Sequence, residues 1–559
     1  MSETPGRRTA ADLLFIAIVA LWATGQSVWD LGFHSDDWAL VADLALAPDQ
    51  SLAGGLASLQ PHDRAIRPLQ FGLLALVYRG FGTNPLAYHL AQFGLVLLGA
   101  ALLFLVLRKL RLDSALALGI ALTWAVLPHH SSARLWVAAA QVPLAAAMYF
   151  AHQLAELRAA ERSGRAAAGW RVLSGAAALA SLLSYEIFLP FILLTPVVTW
   201  WWSRVPARGE GDRVSTGRAP RPVPFLLAAA PALAAATGAL AAKAVLGTRL
   251  PSWSAWDRIL RGGRTYLAIA AEQWDVYGVR APVTVARAAL DAGALGVAMA
   301  ILAGAATFLY LRGRFTDTDA GFHESPGGMV LSLPASLIVA GLVAHFVGYS
   351  VGFLTGGLGP GAAGVNNRTA MAASLGVALV ACGLAVLVAR LVGRHAAGVF
   401  AFTIAAVVAS SGAVNAAVAD DWVAAARRQT QVMERLRARV PNLRGIESVL
   451  IAGVCRYEGP GIVFESPWGV SGILGLTYRT PDISGDVIAP GTRVDGSGVW
   501  TEIYREETLF PFGGLVGYDD RRGAAVLLQD SAAAAAFIRD ALEADAESGC
   551  TGEPGRGGQ

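Results

Sequence analysis

Two adjacent carboxylates, Asp36 and Asp37, stand in Phe33-His34-Ser35-Asp36-Asp37-Trp38, directly after the first long apolar stretch of the chain. A carboxylate held at a membrane face can take a proton from a hydroxyl group, provided the two lie within hydrogen-bond reach. Further polar residues recur between later apolar stretches: Ile66-Arg67-Pro68-Leu69, Tyr88-His89, Pro128-His129-His130-Ser131-Ser132, Ser184-Tyr185-Glu186 and Asn366-Asn367-Arg368. Carboxylates, histidines and arginines gathered at one face could build a site for an anionic, lipid-linked substrate.

Each of these residues also has a plainer reading. Ser and Asp are the usual N-cap residues, so Ser35 and Asp36 could simply start a helix. His129 and His130 are adjacent, point to different faces of a helix and make a poor metal pair. Glu186 lies between two apolar runs, where an ionised carboxylate is costly unless it is paired or placed in a polar cavity. Lys243 stands near the end of an apolar stretch, from which a lysine can snorkel to the headgroups. Arg258, Arg261 and Arg264 recur every three residues and fit one face of an amphipathic helix lying on anionic lipid; alternatively they hold a lipid phosphate.

The elements that carry these residues follow from composition. Of 559 residues, 55% are hydrophobic and 15% charged, and mean hydropathy is +0.49; a soluble chain carries about a quarter charged residues. Apolar runs long enough to cross a hydrocarbon core of roughly 30 Å recur from Leu13 to Ala417. We expect about eleven spans, near 12–30, 86–107, 113–128, 134–153, 169–184, 187–202, 223–246, 292–310, 330–352, 369–389 and 396–417. The segment from Arg67 to Phe81 has too short an apolar core to cross and suits a helix in the interface. Net charge is +3 with no clustered basic face, which argues against a nucleic-acid partner.

Short basic loops stay in the cytoplasm. Arg108, Lys109 and Arg111, then Arg158 to Arg171, Arg204 to Arg221, Arg390 with Arg394, and more weakly Arg312 with Arg314, place the N-terminus inside. An odd number of spans then puts the rest of the chain outside. The expected organisation is a membrane domain over 1–417, whose outer loop 31–85 carries the acidic motif, and a soluble extracytoplasmic tail over 418–559. The tail should open with an amphipathic helix over 420–440 and continue as a small α/β domain, with strands at Ser448–Ala452, Val499–Tyr504 and Ala525–Leu528 and a helix near 532–544. Cys455 and Cys550 flank most of it and either pair or remain free thiols.

The order and spacing of the motifs resemble a known family. Asp36-Asp37 after the first span, Arg67-Pro68-Leu69, Asn84-Pro85 with Tyr88-His89, Pro128-x-His130-Ser131 with Trp136, and Ser184-x-Glu186 look like the GT-C superfamily of polyprenyl-phosphate-sugar-dependent glycosyltransferases. The pattern is most similar to the protein O-mannosyltransferase branch that includes the transmembrane and tetratricopeptide-repeat O-mannosyltransferases, here without the repeats. It covers about residues 10–200, with Asn367-Arg368 a weaker continuation. Departures are Ser132 in the place of a Glu, Leu127 in that of a His, Ala140 in that of an Arg and Tyr185 in that of a Lys.

What the resemblance implies is an all-α polytopic membrane protein with a small C-terminal α/β domain, working in the bacterial plasma membrane. A hexosyl or pentosyl group would pass, with inversion, from a polyprenyl-phosphate donor to a hydroxyl of a protein, glycan or lipid acceptor on the outer face. Asp36 would be the general base, with Asp37 orienting acceptor or base. Arg67, Arg368, Lys243 and the arginines at 258, 261 and 264 would meet the phosphate, and His34, His89, His130 and Glu186 would position substrate. A divalent cation beside Asp36 is possible, although no ligand cluster demands one. The competing classes are a lipid or polysaccharide transporter or flippase, which should show ionisable groups near the midplane in two related halves, and a non-catalytic membrane scaffold displaying the tail.

Overall fold

The computed structural model describes residues 5–60, 65–204, 222–245, 255–314, 332–355, 361–393, 395–504 and 506–548. It is a helical membrane domain with a small α/β domain standing on one face. Seven helices among the described residues are long and apolar enough to cross a membrane: Pro85–Lys109, Gly164–Ser184, Phe225–Ala242, Ala294–Arg314, Leu333–Gly352, Val365–Val392 and Ala396–Arg439. The other four expected spans are occupied by Pro5–Thr24, Ser114–Val126, Gln141–Ala160 and Leu189–Trp202. Ser114–Val126 has 13 residues, about 20 Å at the α-helical rise. It can be short because every residue from Ala115 to Val126 is buried by protein, so none of it has to match the thickness of lipid.

Local signals set the helix ends. Asn84 accepts a bond from the Leu86 N–H at 3.2 Å and Pro85 opens the next helix, while Arg108 and Lys109 close it, as its dipole favours. Asp113 caps the following helix by accepting from the Ala115 N–H at 2.7 Å. The segment after Arg67 is the short helix Pro68–Phe81.

Contacts sort the connections into two faces. At one face Lys109 pairs with Glu161 at 2.8 Å, Asp12 accepts from Ser114 at 3.0 Å and from Arg314 at 2.6 Å, and Arg111 lies over the Trp202 ring at 5.7 Å. The basic loops around 109–114, 161 and 314 therefore share the N-terminal face. At the other face the loop from Asp30 to Asn84 meets 128–140, 361–370 and the C-terminal domain. The arginine-bearing segment 255–291 belongs to this second face, since the Tyr277 hydroxyl donates to the Ala362 carbonyl at 2.7 Å and the Gly293 N–H donates to Asp420 at 3.0 Å.

The expected break at 417/418 is absent. Ala396–Arg439 is one helix of 44 residues, about 66 Å long, because no glycine or proline interrupts 413–440 and Pro441 follows its end. On it sits a four-stranded sheet ordered 484–487, 448–452, 515–519, 524–527, whose first three strands are parallel and whose last is antiparallel. Strands 493–494, 498–503 and 506–511 form a separate antiparallel sheet. Cys382 is buried and free; Cys455 is disulfide-bonded, and Cys550 lies outside the described residues.

The two domains meet helix against helix. Pro467–Tyr478 is capped by Ser466, which accepts from the Gly469 N–H at 3.3 Å, and packs on Asp36–Ala45. A Cβ at Gly472 would lie 2.5 Å from the carbonyl carbon of Trp38 and 2.6 Å from the nitrogen of Ala39. Backbone cannot yield there, so Gly472→Ala should cost about 1–3 kcal/mol of stability by overpacking, seen as a lower unfolding temperature in detergent and faster proteolysis at the seam. The two faces can be checked with an impermeant thiol reagent on intact cells. A cysteine at exposed Ser497 should be labelled from outside and one at exposed Ser163 only after permeabilisation; labelling of both from one side would break the alternation.

Candidate functional site

The Asp-Asp pair is treated asymmetrically by the fold. Asp37 is buried. Its Oδ2 accepts from the backbone N–H of His34 at 3.0 Å and of Val137 at 3.3 Å, and its Oδ1 from that of Ala138 at 2.6 Å. Burial pushes this carboxyl well above the usual range, opposed by the three backbone donors. Every donor is main chain, so Asp37 ties its own loop to residues 137–138 and has both oxygens engaged in doing so. Gln70 reinforces the junction by donating to the Ala138 carbonyl at 2.8 Å.

Asp36, the first residue of its helix, is half-buried. Its Oδ1 accepts from the indole N–H of Trp468 at 2.6 Å and lies 3.5 Å from the Ser35 hydroxyl. Burial and the Glu465 carboxylate raise the Asp36 carboxyl above the usual range, while Trp468, the Arg368 charge and Ser35 pull the other way. Ser35 occupies the N-cap position without a side-chain capping bond, so the capping reading does not hold for its hydroxyl. That hydroxyl instead donates to Glu465 Oε2 at 2.6 Å. The backbone at Ser35 has φ 44°, a region that costs a non-glycine residue on the order of 1–3 kcal/mol.

Arg368 faces this cluster. Its guanidinium lies 4.8 Å over the Trp136 ring and donates to the Val365 carbonyl at 2.9 Å, while the Trp136 indole donates to the His34 carbonyl at 3.1 Å. Asn367, next to it, accepts from the Ser132 N–H at 3.0 Å and donates to Ser131 at 2.9 Å. The motifs around 34–38, 131–136 and 367–368 are thus knitted together through side chains.

The remaining candidates serve in different places. His34 is buried and sits against the Ile462 carbonyl at 2.8 Å; burial lowers its pKa to about 3, so it is a neutral strut donating to the C-terminal domain. His89 holds the Gly32 carbonyl at 2.9 Å and so braces the same loop. His130 lies in the interior, 3.2 Å from Arg134 and stacked on Trp124, and its bonds are to those neighbours rather than to Asp36. Arg67 lies 4.9 Å over the ring of Tyr185, the neighbour of Glu186, and among the described residues its Nε is buried without a hydrogen-bond partner. Arg261 and Arg264 are exposed on the helix Ala255–Trp274. The side chains of Lys243 and Arg258 lie outside the described part of the structure. Among the described residues no three His, Cys, Asp or Glu converge as a metal site.

Sequence reasoning missed the contribution of the C-terminal domain. Glu465 is buried, accepts from Ser35 and from the Tyr457 hydroxyl at 2.8 Å, and is also bonded by Tyr504. Trp468 comes from the same stretch. Ser466-Pro467 is a readable helix start, but nothing local to Glu465 points to a partner 430 positions upstream.

No protein-family profile matches the chain, and no curated protein does. Two solved structures of ArnT from Cupriavidus metallidurans superpose over 85% of this chain and 90% of theirs at 15% identity. The apo form has a TM-score of 0.37 and the form bound to undecaprenyl phosphate 0.36; superposition at that level carries no argument about activity.

The bonding of Asp37 makes a direct prediction. An amide has one acceptor oxygen, so Asp37→Asn must turn an NH₂ toward a backbone N–H. The variant should lose about 1–3 kcal/mol, the usual cost of an unsatisfied buried donor, measured as a lower unfolding temperature in detergent. An unchanged unfolding temperature would mean that the carboxylate does not hold the loop.

Proposed function

We propose that this protein is an integral membrane glycosyltransferase that moves a sugar from a polyprenyl-phosphate donor to an acceptor hydroxyl at Asp36, on the outer face of the plasma membrane. The observation that supports this most directly is the division of labour in the acidic pair. Both carboxyls have a raised proton affinity, but Asp37 is consumed by main-chain donors, whereas Asp36 stays half-open and is faced by Arg368. A base with a pKa raised toward the working pH is better matched to proton transfer than an ordinary carboxylate. The motif order shared with the protein O-mannosyltransferases adds the donor class.

In this reading the acceptor hydroxyl gives its proton to Asp36 as its oxygen bonds to the anomeric carbon. The bond from that carbon to the phosphate oxygen breaks, its electron pair leaves with the polyprenyl phosphate, and the configuration at carbon inverts. The leaving phosphate needs charge compensation rather than a proton, and fixed cations are the effective way to supply it. Arg368 is held by Trp136 and Val365 at the right face, and Arg67 has an uncommitted buried Nε for the same purpose. Arg261 and Arg264, exposed on a surface helix, suit the phosphates of the surrounding lipid and of the donor tail. The acceptor is a protein, glycan or lipid hydroxyl, and the sugar transferred is a hexosyl or pentosyl group.

Mass spectrometry of lipids that copurify with the protein tests the donor class: a polyprenyl phosphate sugar is expected, and its absence from preparations that retain other lipids would count against the reading. Asp36→Asn keeps size and hydrogen-bond acceptance but cannot take the proton. Turnover of that copurifying donor should fall by roughly 10²-fold or more, the usual worth of a general base, with donor binding retained. Full turnover in Asp36→Asn would remove Asp36 as the base.

A further inference from the structure

Within reach of Asp36 the structure places groups from three separated parts of the chain. Asp37 and Ser35 come from its own loop, Arg368 from the turn before a late span, and Glu465, Tyr457, Trp468 and Tyr504 from the C-terminal domain. The contacts with the C-terminal domain are the close ones. Trp468 bonds Asp36 Oδ1 at 2.6 Å, and Glu465 bonds the Ser35 hydroxyl at 2.6 Å, itself 3.5 Å from Asp36. The seam around them is tight, since a Cβ on Gly469 would lie 2.8 Å from the Ser35 carbonyl oxygen. Ser35 keeps its positive φ with that helix pressed against it, and a strained residue persists only where its surroundings over-determine it.

We propose that the C-terminal domain completes the Asp36 site, with Glu465 as a positioning residue that acts through Ser35 and with Trp468 holding the Asp36 carboxylate directly. This deepens the glycosyltransferase reading and rests on it for its catalytic meaning, but the arrangement itself is independent of which substrate is used. Tyr457 and Tyr504 are the residues that keep Glu465 aimed: both hydroxyls donate to its carboxylate, leaving Oε2 to take the Ser35 bond. The Gln429 side chain adds a second clasp, accepting from the Trp38 indole at 3.1 Å and donating to the Val463 carbonyl at 2.7 Å. The long helix thereby grips the acidic helix and the segment before Glu465 at once.

Two substitutions act on Asp36 with opposite sign. Glu465→Gln removes a like charge but can still accept from Ser35, so Asp36 should hold its proton less tightly. Trp468→Phe removes a donor to the carboxylate, so Asp36 should hold its proton more tightly. Water-soluble carbodiimide with glycine amide modifies the protonated carboxyl, and peptide mass spectrometry reads the Asp36 site in the full-length protein in detergent. On the alkaline side of the parent's midpoint, labelling should slow by about threefold or more in Glu465→Gln and quicken in Trp468→Phe. Glu465→Asp, which restores the charge, should return the midpoint toward that of the parent. A purely structural Glu465 would change how accessible Asp36 is at every pH without moving the midpoint. An unmoved midpoint in either Glu465→Gln or Trp468→Phe overturns the proposal, and if one variant does not fold the other decides. The titration needs neither donor nor acceptor, so a failure of glycosyl transfer would leave its outcome intact.

Discussion

A carboxylate removed from water must be given hydrogen-bond donors, and at Asp37 they come from three backbone N–H groups in two parts of the chain. Much of the membrane face is arranged around that requirement. Val137 and Ala138 have to reach the acidic loop, which brings with them Trp136, the ring beneath Arg368. The neighbouring residues Ser131 and Ser132 are fixed in turn by Asn367. An uncompensated charge in this position would cost several kcal/mol, so the loop, the turn after the third span and the turn before a late span are held in one relation by the need to satisfy a single side chain.

With that relation fixed, Asp36 has no structural debt of its own and its environment can be set separately. Burial and Glu465 raise its proton affinity; Trp468, Arg368 and Ser35 lower it. Two adjacent residues of the same type thereby differ in kind: one has both oxygens bonded by main chain, the other sits half-open among side chains contributed by two domains. Burial raises the proton affinity of both carboxyls; what separates them is which oxygen atoms the main chain has already used.

Much of the architecture was legible because it depends on long, local patterns. The apolar runs marked the seven helices among the described residues that are long and apolar enough to cross and four shorter or less apolar ones beside them, one of them, Gln141–Ala160, displaced by seven residues from its expected start, and the strand at Ser448–Ala452 appeared where five consecutive apolar-rich residues predicted it. The unbroken helix through 418 was also readable, since 413–440 contains no residue that stops a helix. The expectation of a domain break there weighed a change in polarity above the absence of any breaker. The site was legible in part. Arg368 faces Asp36, but the His34 ring is a strut to the Ile462 carbonyl and His130 is an interior partner of Arg134. The role of Asp37 could not be read, because backbone donors at Val137 and Ala138 leave no trace in residue identity. Glu465 was hidden for a different reason: it acts across 430 positions, and a lone acid before a helix start looks like many others.

The continuous helix Ala396–Arg439 has a mechanical consequence. Its 22 residues from Val418 to Arg439 project about 33 Å beyond the expected end of the span, with no joint between the part among lipids and the part that carries the sheet. The C-terminal sheet therefore stands on the far half of one continuous rod, whose near half, residues 396–417, is equally long. A tilt of about 5° in the span carries the end of that far half by roughly 3 Å, comparable to the length of a hydrogen bond. Whatever sets the tilt of the span, including the thickness of the surrounding lipid, therefore bears on how tightly the seam at Ser35 and Gly469 is shut.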